Sequence, residues 1–195
     1  MRLPAVVLAM ACTCASADPI PAQGWVKVAF SPTDDAEQML VDALGTARTT
    51  IRVQAFLITS RTVAAALIAA RERGVDVSLV ADLQQFLRGG ISQLPRLADA
   101  GIRVRLDGQH AAAHDKIVLI DAESNRPVVI TGSFNFTYSA QHRNAENLLM
   151  LGGNPTLAAN YLANWRAHDA HSLDYRAVLQ QEAGRLRHEA KSSGR

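Results

Sequence analysis

Between residues 26 and 106, short apolar runs rich in β-branched residues alternate with stretches of helical spacing, and this alternation restricts the possible folds most. Val26 to Phe30 alternates in polarity, Asp34 to Ala47 has helical spacing, and Thr50 to Ile58 is β-branched and apolar. Arg61 to Arg73 reads as an alanine-rich helix stopped by Gly74, and Val75 to Ala81 as a buried-type strand. Ser92 to Ala100 is a short helix ended by Gly101, and Ile102 to Leu106 a further strand. A βαβαβαβ order with short connections predicts a layered α/β sandwich, a mixed and largely parallel sheet flanked by helices. After Lys116 the pattern changes to a hairpin, Ile117 to Ile120 and Val128 to Ile130 about the polar stretch Ala122 to Pro127. One more strand at Leu148 to Leu151 and helices at Thr156 to His168 and Tyr175 to Ala190 complete the chain. With 195 residues, no internal repeat and no low-complexity linker, one domain is expected over residues 18–195.

Composition narrows the function classes. At 48% hydrophobic and 19% charged residues, the disordered, collagenous and disulfide-scaffold classes fail. A formal charge of +2 is too small to name a polyanion as partner, so any such binding must be local. Arg185, Arg187, Lys191 and Arg195 against Glu189 read as a solvated helix end. At the N-terminus, Arg2, the apolar run Leu3 to Ala11 and Ala15-Ser16-Ala17 have the form of a secretory signal peptide over residues 1–17, cleaved after Ala17. The protein is therefore expected in the periplasm or secreted. A lipid anchor on Cys12 ranks second, because Ala9 stands where such signals usually carry leucine. Both cysteines, Cys12 and Cys14, precede the expected cut, so a thiol nucleophile, a thiolate metal site and a disulfide are excluded from the mature chain.

The chemistry concentrates in His114-Asp115-Lys116-Ile117-Val118-Leu119-Ile120-Asp121. Polar residues one position apart at a strand start point to the same side, so His114 and Lys116 should converge. An imidazole that is neutral near pH 7, beside a permanent cation, suits attack on an anionic phosphorus centre. Gly132-Ser133-Phe134-Asn135 then combines a glycine that permits close backbone approach with uncharged donors. Arg143-Asn144-Ala145-Glu146-Asn147 adds a carboxylate just before the next strand, and a carboxylate on one imidazole nitrogen frees the other to attack. Each piece is weak alone; together they are strong.

H-D-K-I-V-L-I-D followed by G-S-F-N resembles the signature of the phospholipase D superfamily, and F-N-F-T with R-N-A-E-N-L-L is similar to its small exported bacterial endonucleases. The resemblance covers essentially the whole mature chain. It implies that His114 is the nucleophile forming a covalent phosphohistidine, and that Lys116 and Asn135 hold nonbridging phosphate oxygens with help from Ser133. It further implies that Glu146 orients His114. Asp121, on the opposite strand face from Lys116 by parity, reads as structural. The ten residues between Asp121 and Gly132 exceed the family's usual spacing, which predicts a longer hairpin loop and an intact site.

A phosphohistidine route needs an acid for the leaving oxygen and a base for water, yet the motif occurs once per chain. A two-fold homodimer would bring two copies of His114 to one phosphate. His110 or His142 of the same chain is the alternative acid, although surface or loop positions are the blander reading for these and for His168, His171 and His188. The chemistry requires no cofactor and no metal, and the one grouping with ligand character, His168-Asp169 with His171, reads as solvated. The function expected first is a metal-independent, non-specific endonuclease on DNA or RNA. The second is a phospholipase D or transphosphatidylase with Phe86, Leu87, Phe134 and Phe136 as an apolar lip for acyl chains. A third, a nonenzymatic binding protein, would have no need of a paired His114 and Glu146.

Overall fold

A computed structural model describes residues 18–193. The expected signal peptide and its cleavage point lie outside the described residues. The described residues form eight strands, β1 (Trp25–Ser31), β2 (Thr50–Ala55), β3 (Asp76–Asp82), β4 (Arg103–Asp107), β5 (Lys116–Ile120), β6 (Val128–Gly132), β7 (Glu146–Gly152) and the two-residue β8 (Leu173–Asp174). Between them run α1 (Ala36–Thr46), α2 (Arg61–Glu72), α3 (Leu83–Leu87), α4 (Leu94–Asp99), α5 (Tyr138–His142), α6 (Pro155–His171) and α7 (Tyr175–Ser193). None of the described helices is long and apolar enough to cross a membrane.

Local chemistry explains the helix starts. Asp35, Ser60, Asp82, Thr137 and Asn154 each accept a hydrogen bond from a backbone N–H in the first turn of the helix that follows. Pro155 opens α6, where its missing N–H costs nothing.

The strands form one mixed sheet in the order β1-β7-β6-β5-β2-β3-β4-β8. It is flanked by helices, as expected, but only β2-β3 and β3-β4 are parallel; the other five pairings are antiparallel. A parallel crossover needs a dozen or more residues and usually a helix. The eight residues between β4 and β5 contain no helix, and β5 returns antiparallel beside β2. β6 and β7 then pair outward from β5, so β1 and β2 run the same way with three strands between them.

Each sheet face has its own core. On one, α1, α2 and α4 cover Val53, Leu79, Val104, Val118, Ile130 and Leu148. On the other, α6 lays Ala158, Leu162 and Trp165 against Val80, Ile117, Leu119 and Val129. Trp165 is 4% exposed and its indole N–H donates to the Val53 carbonyl at 3.0 Å. The α6-side face continues onto β7 and the edge strand β1 without a covering helix among the described residues, leaving Val26, Val28 and Phe30 exposed, while Trp25, on the opposite face of β1, is 49% exposed.

Because β2, β3, β4 and β6 all run toward one end of the sheet while β5 and β7 start there, Phe56, His114, Lys116, Ser133 and Glu146 gather at that end. The β5-β6 loop, residues 121–127, turns at the other end, so its extra length lies away from these residues.

Candidate active site

His114 lies two residues before β5 and is exposed, whereas Lys116, the first residue of the strand, is only 6% exposed. The two side chains meet on Phe56, just past β2. The His114 ring stands edge-on to Phe56 with centroids 4.5 Å apart, and the Lys116 Nζ lies 5.1 Å from the same centroid. Lys116 Nζ also donates to the His114 carbonyl at 2.5 Å, which ties the two residues together. Burial pushes the Lys116 ammonium below the ordinary lysine value, and the charges of Asp115 and Glu146 partly restore it. Asp115 is itself held to β2, its carbonyl accepting from Phe56 N and its carboxylate from Gln54 Nε2.

The Gly-Ser-Phe-Asn segment is positioned by alternation. Phe134 and Phe136 are 0% and 1% exposed and plug into the core, so Ser133 and Asn135, which alternate with them, are turned the other way. Phe136 is fixed by bonds from its N to the Leu57 carbonyl and from Thr59 N and Ser60 N to its own carbonyl. These two phenylalanines therefore cannot form an acyl-chain lip. Of the other two candidates, Phe86 is half-buried against Tyr175, with ring centroids 5.4 Å apart, and Leu87 is exposed.

Gly132 has φ +146°, and a Cβ there would lie 2.3 Å from the Asn147 carbonyl oxygen. Only glycine allows the approach, and it lets Ser133 N donate to that carbonyl at 3.1 Å while Ser133 Oγ accepts from Asn147 N. The Asn135 side-chain oxygen is buried with no hydrogen-bond partner among the described residues, a cost of about 1–3 kcal/mol that only a hydrogen-bond donor would relieve. Glu146 opens β7 opposite Ser31 of β1, and its carboxylate accepts from Asn144 Nδ2 at 2.9 Å. Its charge raises the Lys116 ammonium, and β7 begins at the end of the sheet where β5 begins.

Asp121 sits just past the opposite end of β5 from His114, away from the motif residues. Its carboxylate accepts from Arg48 N, Thr49 N, Thr49 Oγ1 and Thr50 N at 2.8–3.0 Å. Burial opposes the charge, but those four hydrogen bonds outweigh it and hold the carboxyl below its usual range.

Sequence reasoning missed two features. Phe56 and Asn147 support the motif residues, but a single aromatic after a strand and a second asparagine after Glu146 carry no signal of their own. The histidines His110, His168 and His171 are not independent loop residues: all three converge on the fully buried carboxylate of Asp107 at the end of β4. Burial raises the Asp107 carboxyl, but the contacts of His168, His171 and His110 with it and the hydrogen bond from Gln109 N reverse this and hold it well below the usual carboxylate range. The grouping was illegible because 61 residues separate Asp107 from His168. His142 is exposed beside Tyr138, and Arg185 is paired with Glu182 and Glu189, in keeping with a solvated helix end.

A family model described as cardiolipin synthase, PLD-like domain, matches residues 40–168, a span that holds every motif residue above. A phospholipase D of Rickettsia bellii is 37% identical over 147 residues, spanning 75% of this chain and 70% of that one. A mitochondrial cardiolipin hydrolase of Xenopus tropicalis is 30% identical over 146 residues, spanning 73% and 67%. Among solved structures, the phospholipase D family member Nuc of Salmonella typhimurium superposes with a TM-score of 0.72 at 34% identity, covering 77% of this chain and 97% of that one. With the His-Lys pair, the Gly-Ser-Phe-Asn segment and Glu146 gathered at one end of this sheet, the chain belongs to the phospholipase D superfamily and is a phosphodiesterase of that superfamily.

Proposed function

We propose that this phosphodiesterase is a non-specific endonuclease acting on DNA, and on RNA, through a covalent phosphohistidine. The observation that carries the choice of nucleic acid over lipid is the burial of Phe134 and Phe136: the residues at the rim, His114, Ser133, Arg143 and Asn147, are polar and exposed. The likeness to Nuc over nearly all of that chain supports the same reading.

In this mechanism an imidazole nitrogen of His114 attacks phosphorus, and the bond from phosphorus to the leaving oxygen breaks. Lys116 and Asn135, assisted by Ser133, hold the nonbridging oxygens, and Glu146 orients the imidazole through its other nitrogen. The leaving oxygen takes a proton from His114 of a second copy. That imidazole then accepts a proton from water as the water attacks phosphorus, the P–N bond breaks, and both histidines return to their starting states. A homodimer is supported by the uncovered apolar row Val26, Val28 and Phe30 on edge strand β1, whose last residue, Ser31, lies opposite Glu146. The leader-like N-terminus supports export to the periplasm or the medium.

A lipid substrate is the second reading. Exposed Leu87 and Ile91 flank a cavity of about 210 Å³ lined in part by Phe56 and Phe86, and the Rickettsia and Xenopus relatives are named for lipid hydrolysis. The deciding experiment incubates the protein with supercoiled plasmid and, separately, with fluorescent phosphatidylcholine, and quenches in alkaline detergent to trap an adduct. Nicking with a covalent protein–DNA adduct, both lost in His114→Ala, is the expected result. Lipid turnover without nicking would establish the second reading, and nicking that persists in His114→Ala would overturn the mechanism.

A further inference from the structure

We propose that Asp107, His110, His168 and His171 form a binding site for a divalent transition metal of the zinc class, separate from the phosphodiesterase site. The site is built from three parts of the chain: the last residue of β4, the strap of residues 108–115, and the final turn of α6. His168 and His171 are three residues apart on that turn and so share one helix face.

Three imidazole nitrogens surround one carboxylate oxygen, Asp107 Oδ2. His168 Nδ1 lies at 2.7 Å, His110 Nδ1 at 3.0 Å and His171 Nε2 at 3.2 Å. All four candidate ligand atoms fall within 4.8 Å of one another. The other carboxylate oxygen, Oδ1, is occupied by Gln109 N, which orients the group.

Hydrogen bonding alone accounts poorly for this arrangement. An sp² oxygen offers two lone pairs, and the third nitrogen, His171 Nε2, is buried near it without making a hydrogen bond. A metal at about 2.0–2.1 Å from each donor sets ligand atoms about 3.3 Å apart in a tetrahedron. The observed N···O separations of 2.7–3.2 Å approach that spacing, and the four ligand atoms lie within 4.8 Å of one another. Three borderline nitrogens and one oxygen suit zinc or a neighbouring transition metal; magnesium and calcium prefer all-oxygen cages.

With all four positions filled by protein, the site has the closed form of a structural metal. It would clamp the strap to α6 four residues before His114, fixing the segment that carries the nucleophile into β5.

The test uses untagged protein stripped with chelator, dialysed, and titrated with zinc chloride in a calorimeter, with cobalt(II) chloride as a spectroscopic probe. The expected result is one zinc per chain, a rise in Tm on binding, and visible d–d bands of tetrahedral cobalt. His110 and His171 are partly exposed, with side chains at 47% and 26%, so His110→Ala and His171→Ala should fold. Each should weaken zinc binding at least about tenfold and abolish the cobalt bands, while His142→Ala and His188→Ala leave both unchanged. Absence of stoichiometric binding at micromolar zinc, or equal binding by the His110→Ala and His171→Ala variants once circular dichroism shows them folded, would overturn the proposal.

Discussion

Asp121 stands inside the superfamily motif yet acts on the fold, and substituting it separates those roles. Asp121→Ala removes the acceptor for three backbone N–H groups and one hydroxyl. Each buried donor left unpaired costs about 1–3 kcal/mol, at the low end where water enters. Asp121 also has φ +48°, a conformation aspartate and asparagine tolerate and alanine occupies at a cost of about 1 kcal/mol. The sum is about 5 kcal/mol for Asp121→Ala. Asp121→Asn keeps the backbone conformation and the oxygen facing Thr49 and Thr50, but opposes an amide to Arg48 N, for a loss of about 1–2 kcal/mol. Urea unfolding at neutral pH measures both. Since the carboxyl is depressed in the folded state, its stabilisation is present above about pH 3.9 and is lost as pH falls through the folded value. The gap between wild type and Asp121→Asn should therefore narrow in acid. Phosphodiesterase rate per folded molecule should not change. Equal losses for alanine and asparagine, a loss under about 1 kcal/mol for alanine, or a rate defect in folded Asp121→Asn would refute the reasoning.

Gly132→Ala, which drives a Cβ into the Asn147 carbonyl, should cost about 3 kcal/mol by thermal unfolding and displace Ser133 and Asn135 enough to reduce turnover. Lys116→Met should lower kcat about 10²–10³-fold, the scale of removing one stabiliser of transition-state charge. Because burial depresses the Lys116 ammonium, wild-type activity should fall with rising pH below the range of an ordinary lysine, and Lys116→Arg should remove that alkaline limb whatever its absolute rate. Phe56→Leu should leave the fold intact but lower kcat about 10–100-fold, since His114 and Lys116 both rest on that ring; unchanged kinetics would show that their placement is set elsewhere.

The sequence was most legible where periodicity and breakers coincide. Gly74 and Gly101 mark the ends of α2 and α4, and the polar run after Asp121 marks the β5-β6 turn. The site was legible through local spacing, since His114 and Lys116 are near neighbours and Gly132-Ser133-Phe134-Asn135 is contiguous. Strand direction was not, because the return of β5 beside β2 depends on a pairing between residues about 65 apart, such as Val53 with Val118. The short α5 and β8 carry too little pattern to detect. Phe134 and Phe136 look from sequence like rim residues, and only the bonds of Phe136 to Leu57, Thr59 and Ser60 reveal that they face inward.

The two tryptophans occupy opposite settings: Trp165 under α6 with Arg52 and Arg103 over its ring, and Trp25 at the rim of the uncovered edge strand. Their emission separates events that a single fluorophore would merge. Iodide should quench the Trp25 component and spare Trp165, so protection of Trp25 with increasing protein concentration reports association along the edge, while a red shift of Trp165 reports loss of the α6 layer. The chain carries its own optical probes for assembly and for unfolding, readable without a label.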